Sequence, residues 1–130
     1  MAKWIGVDLD GTLATYHGGM GKSIGEPIAP MLELVRSLTS AGVEVRIFTA
    51  RASDPNQHPA INSWLRRHGL GHCAITNVKD FDCHLILDDR AARVEWNRGQ
   101  QCGGCRAEAS RRFEQLGFRP VQRSSFLDVI

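Results

Sequence analysis

The sequence predicts an α/β fold built on a mostly parallel sheet. Short β-rich apolar runs alternate along the chain with segments whose apolar residues recur at helical spacing. Glycines and prolines fall at the joints between them. Acidic and hydroxyl residues follow the runs that read as strands, and in parallel sheets functional groups collect at those carboxyl ends.

Each element has its own signal. Lys3 to Leu9 reads as a buried strand. Residues 14–26 are Gly-rich and aperiodic, which predicts a loop or short hairpin-like flap. Pro30 opens a helix in which Met31, Leu34, Val35 and Leu38 recur at helical spacing, and Gly42 ends it. Val43 to Ala50, "VEVRIFTA", alternates as the second strand. Pro59 opens a helix with Ile61, Trp64 and Leu65 on one face, and Gly69 closes it. "CAITNV" (Cys73 to Val78) and "HLILDD" (His84 to Asp89) read as strands three and four. A last helix over 104–117 should turn Ala109, Phe113 and Leu116 inward and end at Gly117.

The 130 residues suit a single domain spanning 1–130. No stretch is apolar enough to span a bilayer, so no membrane partner is expected. Met1-Ala2-Lys3 leads straight into the first strand, so no signal peptide is read and a cytoplasmic location is expected. The net charge of +2 conceals an asymmetry. Residues 1–89 carry a balance of −2, and residues 90–130 carry +4. A basic C-terminal third could meet an anionic partner such as nucleic acid. The plainer reading is a solvated helix face, with Glu108 and Arg112 at i,i+4 spacing.

Cys102 and Cys105 frame "CGGC", a spacing that fits zinc ligation or a redox pair. A second CxxC is missing, and a zinc site would have to draw on Cys73, Cys83, His72 or His84. The plainer reading is two reduced thiols in a Gly-rich turn.

The strand-end rule gathers a site. Asp8 and Asp10 end strand one, Thr49 ends strand two, Lys79 follows strand three, and Asp88 and Asp89 end strand four. Carboxylates crowded at one edge repel each other unless a cation or a reaction shares their charge. Magnesium suits such a pocket, because it takes few carboxylates and keeps room for a phosphate. Thr49 can hydrogen-bond a phosphate oxygen and Lys79 can neutralise it. One aspartate can attack phosphorus, and a second can serve as acid and base. Taken singly, Thr49 reads as a strand-end hydroxyl, Lys79 as a solvated lysine, and Asp88-Asp89 as a helix cap. Their joint order lifts them above those readings.

"DLDGTLA" resembles motif I of the haloacid dehalogenase (HAD) superfamily of phosphatases, DxDGT(L/V). "IFTAR" resembles motif II, "NVKD" motif III, and "LILDDR" the Asp-Asp form of motif IV. The order and spacing agree from Val7 to Arg90, and the match looks closest to short bacterial and phage members. The resemblance implies a three-layer α/β/α, Rossmann-like fold without a cap domain. It implies Asp8 as nucleophile and magnesium ligand. Asp10 would be the acid/base, with its backbone carbonyl on the metal. Asp88 and Asp89 would complete the Mg2+ site. Thr49 and Lys79 would hold the phosphoryl group, and Arg51 and Arg90 flank motifs II and IV within reach of substrate.

The gaps where caps enter are short, so an open site is expected. It would take a phosphorylated nucleotide, a nucleic-acid end or a small metabolite. Specificity would fall to Tyr16, His17 and Lys22 in the flap, or to a second copy in a homo-oligomer. The alternative is a non-catalytic phosphate- or nucleic-acid-binding module on the same fold. Intact Asp8 and Asp10 argue against it.

Overall fold

The computed structural model describes residues 3–18 and 23–119. The chain divides into two compact units, one ending at Asp89 and one beginning at Arg90. The charge balance of the sequence changes sign at the same point.

The first unit holds β1 (Trp4–Val7), α1 (Ala29–Ser40), β2 (Glu44–Phe48), two 3₁₀ turns (Ala50–Ser53 and Pro55–Gln57), α2 (His58–Arg67), β3 (Ala74–Thr76) and β4 (Cys83–Leu87). The four strands form one sheet in the order β3-β2-β1-β4, and all three pairings are parallel. This is an α/β, Rossmann-like fold, as the alternation of elements predicts. The chain builds outward from β1 through β2 to β3, then returns to lay β4 on the far side of β1. The strand order therefore reverses between β1 and β4. In sheets of this kind that reversal opens a crevice at the carboxyl ends of the strands.

The register sorts the two faces of the sheet. Val7 pairs with Ile47 and Leu87, and Ile5 pairs with Val45 and Leu85. Val7, Val45 and Ile47 join Leu32 and Val35 of α1 and Ile61, Trp64 and Leu65 of α2 in one buried cluster, with Ile5, Ile75 and Leu87 packed against it. The opposite face carries Trp4, which is fully buried, with the Arg46 guanidinium 4.6 Å from its ring centroid and Phe48 at 6.5 Å. Its indole Nε1 donates to Asp80 at 2.8 Å.

Pro30 lies in the first turn of α1, where its missing N–H costs nothing. The helix ends in a Schellman turn: Val43 N donates to Leu38 O at 3.0 Å and Gly42 N to Thr39 O at 3.1 Å. Gly42 adopts φ 86° there, which is why a glycine marks the end. Leu70 and Gly69 close α2 through the same pair of bonds. One detail of α1 departs from the periodicity. Leu32 and Val35 are buried, Met31 and Leu38 pack partly, and Leu34 is exposed. At about 100° per residue, Leu32 lies nearer to Val35 around the helix than Leu34 does. The core takes the Leu32 flank of a broad apolar stripe.

The loop after β1 leaves and returns through a narrow neck. Ala14 bridges Pro27 in antiparallel fashion, Thr15 N donates to Glu26 O, and Ile28 N donates to Leu13 O, both at 2.8 Å. The limbs of a hairpin-like flap are thus present, while Lys22 lies outside the described residues.

In the second unit, α3 spans Gly103–Gln115. Glu108 pairs with Arg112 at 2.8 Å, as the i,i+4 spacing predicts. The expected inward face does not form. Ala109 is buried, but Phe113 is 40% exposed and Leu116 86%. Phe113 instead meets Phe118 edge-on, with ring centroids 5.6 Å apart. No helix among the described residues is long and apolar enough to cross a membrane.

Candidate active site

The parallel pairing of β1 with β4 builds the centre of the site. Val7 is in register with Leu87, and Asp8 N donates to Leu87 O at 2.9 Å. The next residues of both strands therefore emerge side by side. One carboxylate oxygen from each of Asp8, Asp88 and Asp89 lies within 4.8 Å of the others. Asp8 and Asp88 are half-buried and Asp89 is exposed. The Asp8 carboxyl is pushed up to about 7. Burial is the largest cause; a hydrogen bond with Asp89 and the charges of Asp88 and Asp89 add to it, against a smaller opposing effect of Thr12. Three hard oxygen donors held in mutual repulsion are the donor set that a small divalent cation relieves.

The turn after β1 fixes this cluster. Leu9 O accepts from the backbone N–H groups of Thr12, Leu13 and Ala14. That turn puts the Thr12 hydroxyl 3.3 Å from Asp8 Oδ2 and 3.1 Å from Asp89 Oδ1, while its oxygen accepts from Asp89 N at 3.1 Å. One hydroxyl proton serves two carboxylates, so Thr12 can donate to one at a time. Gly11 stands at φ 90°, and a Cβ there would lie 2.7 Å from Asp89 Oδ2. The positive φ selects glycine, and a Cβ there would force the Asp89 carboxylate to shift.

The Asp10 carboxylate is engaged elsewhere. Arg51 Nε donates to its Oδ2 at 2.7 Å and Arg51 Nη2 to its Oδ1 at 2.8 Å. Arg51 is expected from the sequence to meet substrate phosphate, but the structure turns it onto Asp10. It is buried, and it also donates to Gln57 Oε1 at 2.9 Å and to Ser23 O at 3.3 Å. Both carboxylate oxygens of Asp10 thus lie on Arg51, and the Asp10 side chain, expected from the sequence among the metal ligands, does not belong to the Asp8, Asp88 and Asp89 cluster.

Thr49 is buried at the end of β2 and caps the turn that carries Arg51, its hydroxyl accepting from Arg51 N at 3.2 Å. Lys79 is exposed in the loop between β3 and β4. Among the described residues no ion pair joins it to Asp8, Asp10 or Asp89. Tyr16 and His17 are exposed on the outgoing limb of the flap, and Arg90 begins the second unit. Two working residues escape the reading of the sequence. Thr12 was signalled by the Gly-Thr of "DLDGTLA". Gln57 carries no local signal, since its partner is fixed only by the fold.

No family model matches the chain, and no curated protein matches it. A solved structure, that of a conserved protein coded by a locus from Bacteroides thetaiotaomicron, matches with a TM-score of 0.57 and 23% identity. The match covers 70% of this chain and 78% of that one. At that identity the likeness bears on the fold alone, and it agrees with the parallel α/β sheet.

Proposed function

We propose that the chain is a magnesium-dependent phosphomonoester hydrolase of the HAD type. The observation that carries this reading is the Asp8, Asp88 and Asp89 cluster at the point where strand order reverses. A parallel sheet offers its ligand crevice there. The four sequence motifs supply the matching residue order.

Asp8, Asp88 and Asp89 would hold Mg2+, which when bound neutralises phosphoryl charge. The protein's own groups account for the rest. Asp8 Oδ attacks phosphorus and forms an aspartyl-phosphate, expelling the substrate alkoxide. Asp10 gives that oxygen a proton, then takes one from the water that hydrolyses the aspartyl-phosphate. Both Asp10 oxygens accept from Arg51 in this structure, so one of these bonds would have to open before Asp10 gives or takes a proton. Thr12 steadies Asp8 and Asp89 together. Thr49 and Lys79 remain the residues assigned to the phosphoryl oxygens. Thr49 is already positioned at the end of β2, whereas Lys79 would have to be drawn in by substrate.

Between β1 and α1 the described residues form only the neck of a flap, and between β2 and β3 only two 3₁₀ turns and α2. These short connections support an open, cap-free site that admits a nucleotide, a nucleic-acid end or a small phosphorylated metabolite. The test is phosphate release from an aryl phosphate, nucleotides, and 3′- and 5′-phosphorylated oligonucleotides, with and without magnesium. Wild-type release should require magnesium, and Asp8→Asn should lower it by at least about a thousandfold. Equal release by the two proteins, or release indifferent to magnesium, would refute the assignment.

A further inference from the structure

The "CGGC" segment takes no part in the chemistry above. Cys102 is the N-cap residue of α3, with φ −68° and ψ 164°, and its carbonyl accepts the first intrahelical bond from Arg106 N at 2.9 Å. Cys105 lies three residues on, in the first turn of a 13-residue helix. Side chains so spaced across one helical turn are neighbours, within the span that a disulfide bridges. Cys102 is exposed and Cys105 is half-buried. A Cβ built on Gly103 or Gly104 would meet nothing within 4 Å, so the approach to the turn is open.

We propose that Cys102 and Cys105 are a thiol–disulfide exchange pair, with Cys102 the attacking and Cys105 the resolving thiol. The Cys102 thiolate attacks one sulfur of a low-molecular-weight disulfide. A mixed disulfide forms, and the first thiolate leaves and is protonated. Cys105 then loses its proton and attacks the Cys102 sulfur, which expels the second thiol. The two cysteines give up two electrons and two protons, and the incoming disulfide becomes two thiols.

The division of roles follows from the surroundings. The Cys105 backbone N–H, the Cys105 thiol and the Gly104 N–H, in that order, favour the Cys102 thiolate and hold it below the usual thiol range. A helix N-terminus acts in the same direction. Slight desolvation and the Glu95 charge oppose the shift, and the exposed Cys102 side chain makes no capping hydrogen bond of its own. The contrast within the chain is Cys73, which burial pushes up to about 11. Zinc is the competing use of a CxxC pair, and it needs further ligands. Among the described residues, the group of three or more potential ligands is the aspartate cluster, and neither Cys102 nor Cys105 belongs to it.

The test uses the full chain, reduced and then equilibrated at neutral pH with glutathione buffers of rising oxidised fraction. Thiols are trapped by alkylation and located by peptide mass. In the wild type Cys102 and Cys105 should lose alkylation together, as an internal disulfide that dithiothreitol reverses. Cys105→Ser should accumulate one glutathione on Cys102. Cys102→Ser should leave Cys105 mostly free under the same buffer. In the reduced wild type, iodoacetamide should modify Cys102 about tenfold faster than Cys83, with Cys73 slowest. The proposal is overturned if both thiols stay alkylatable in oxidising buffer, or if Cys102→Ser traps glutathione on Cys105 as readily as the converse variant does on Cys102. Stoichiometric zinc that shields both thiols would overturn it as well.

Discussion

Arg51 closes on Asp10 through two hydrogen bonds, of 2.7 and 2.8 Å, across 41 residues of sequence. The same guanidinium reaches Gln57 in the second 3₁₀ turn and Ser23 in the flap. One side chain thus ties the proposed acid/base to two neighbouring segments. Removing it would strand a partly buried carboxylate.

Arg51→Ala should therefore cost about 3 kcal/mol of stability in denaturant unfolding, because one partner of a paired charge remains without the other. Arg51→Lys should recover little of it, since an ammonium cannot reproduce the planar two-point grip. If Asp10 serves as acid and base, both variants should lower kcat by roughly a hundredfold with a smaller change in KM. Unchanged kcat in a folded Arg51→Lys protein would separate Arg51 from catalysis.

The raised Asp8 carboxyl predicts an inverted pH dependence for the metal-free protein. Its folded value of about 7 lies above the ordinary value of 3.8. Between these limits the native state binds the proton more tightly than the unfolded chain. The contribution is complete below about pH 4 and is lost as pH rises through about 7. Melting in a chelator should show Tm falling from pH 5 to pH 8. Asp8→Asn should flatten that slope, and saturating magnesium should restore Tm at pH 8. A slope shared equally by wild type and Asp8→Asn would place the titration on another group.

Gly11→Ala should act on stability and on the carboxylate cluster at once. The left-handed backbone alone costs about 1–2 kcal/mol for a residue with a Cβ. That carbon would also press on Asp89 Oδ2 from 2.7 Å, so Asp89 must move. Divalent-ion binding, followed by calorimetry, should weaken by about tenfold, beyond what the loss of stability explains. Unaltered binding would show that Asp89 stands outside the proposed metal site.

Much of this site is legible in the sequence, for identifiable reasons. Asp8, Asp88 and Asp89 follow short, β-rich apolar runs that read as strands, and parallel strands deliver their next residues to a common edge. The helix ends at Gly42, Gly69 and Gly117 are legible too, because a positive φ selects glycine locally. The direction of Arg51 is not legible, because its partners Asp10 and Ser23 are brought to it by the fold of distant segments. The face of α3 is misread for a related reason. Phe113 and Leu116 have helical spacing, but spacing names a stripe and cannot say whether another element covers it.

The returning limb of the flap offers a test of specificity that spares the chemistry. Trp64 of α2 is buried, and its Nε1 donates to Gly25 O at 2.9 Å. Together with Arg51 on Ser23, this bond pins residues that precede α1. Trp64→Phe keeps the apolar ring and removes the donor, leaving the Gly25 carbonyl to find water. The expected cost is about 1 kcal/mol, well short of the roughly 3–5 kcal/mol for Trp64→Ala, which would also open a cavity. Amide exchange at Thr15 and Ile28, whose bonds close the neck, should quicken in Trp64→Phe while β1 and β2 amides hold. If the flap selects substrate, KM should rise several-fold on the best phosphorylated substrate, with kcat nearly constant. Faster exchange at the neck with KM unmoved would assign the flap to folding alone and shift specificity to the residues that rim the strand ends.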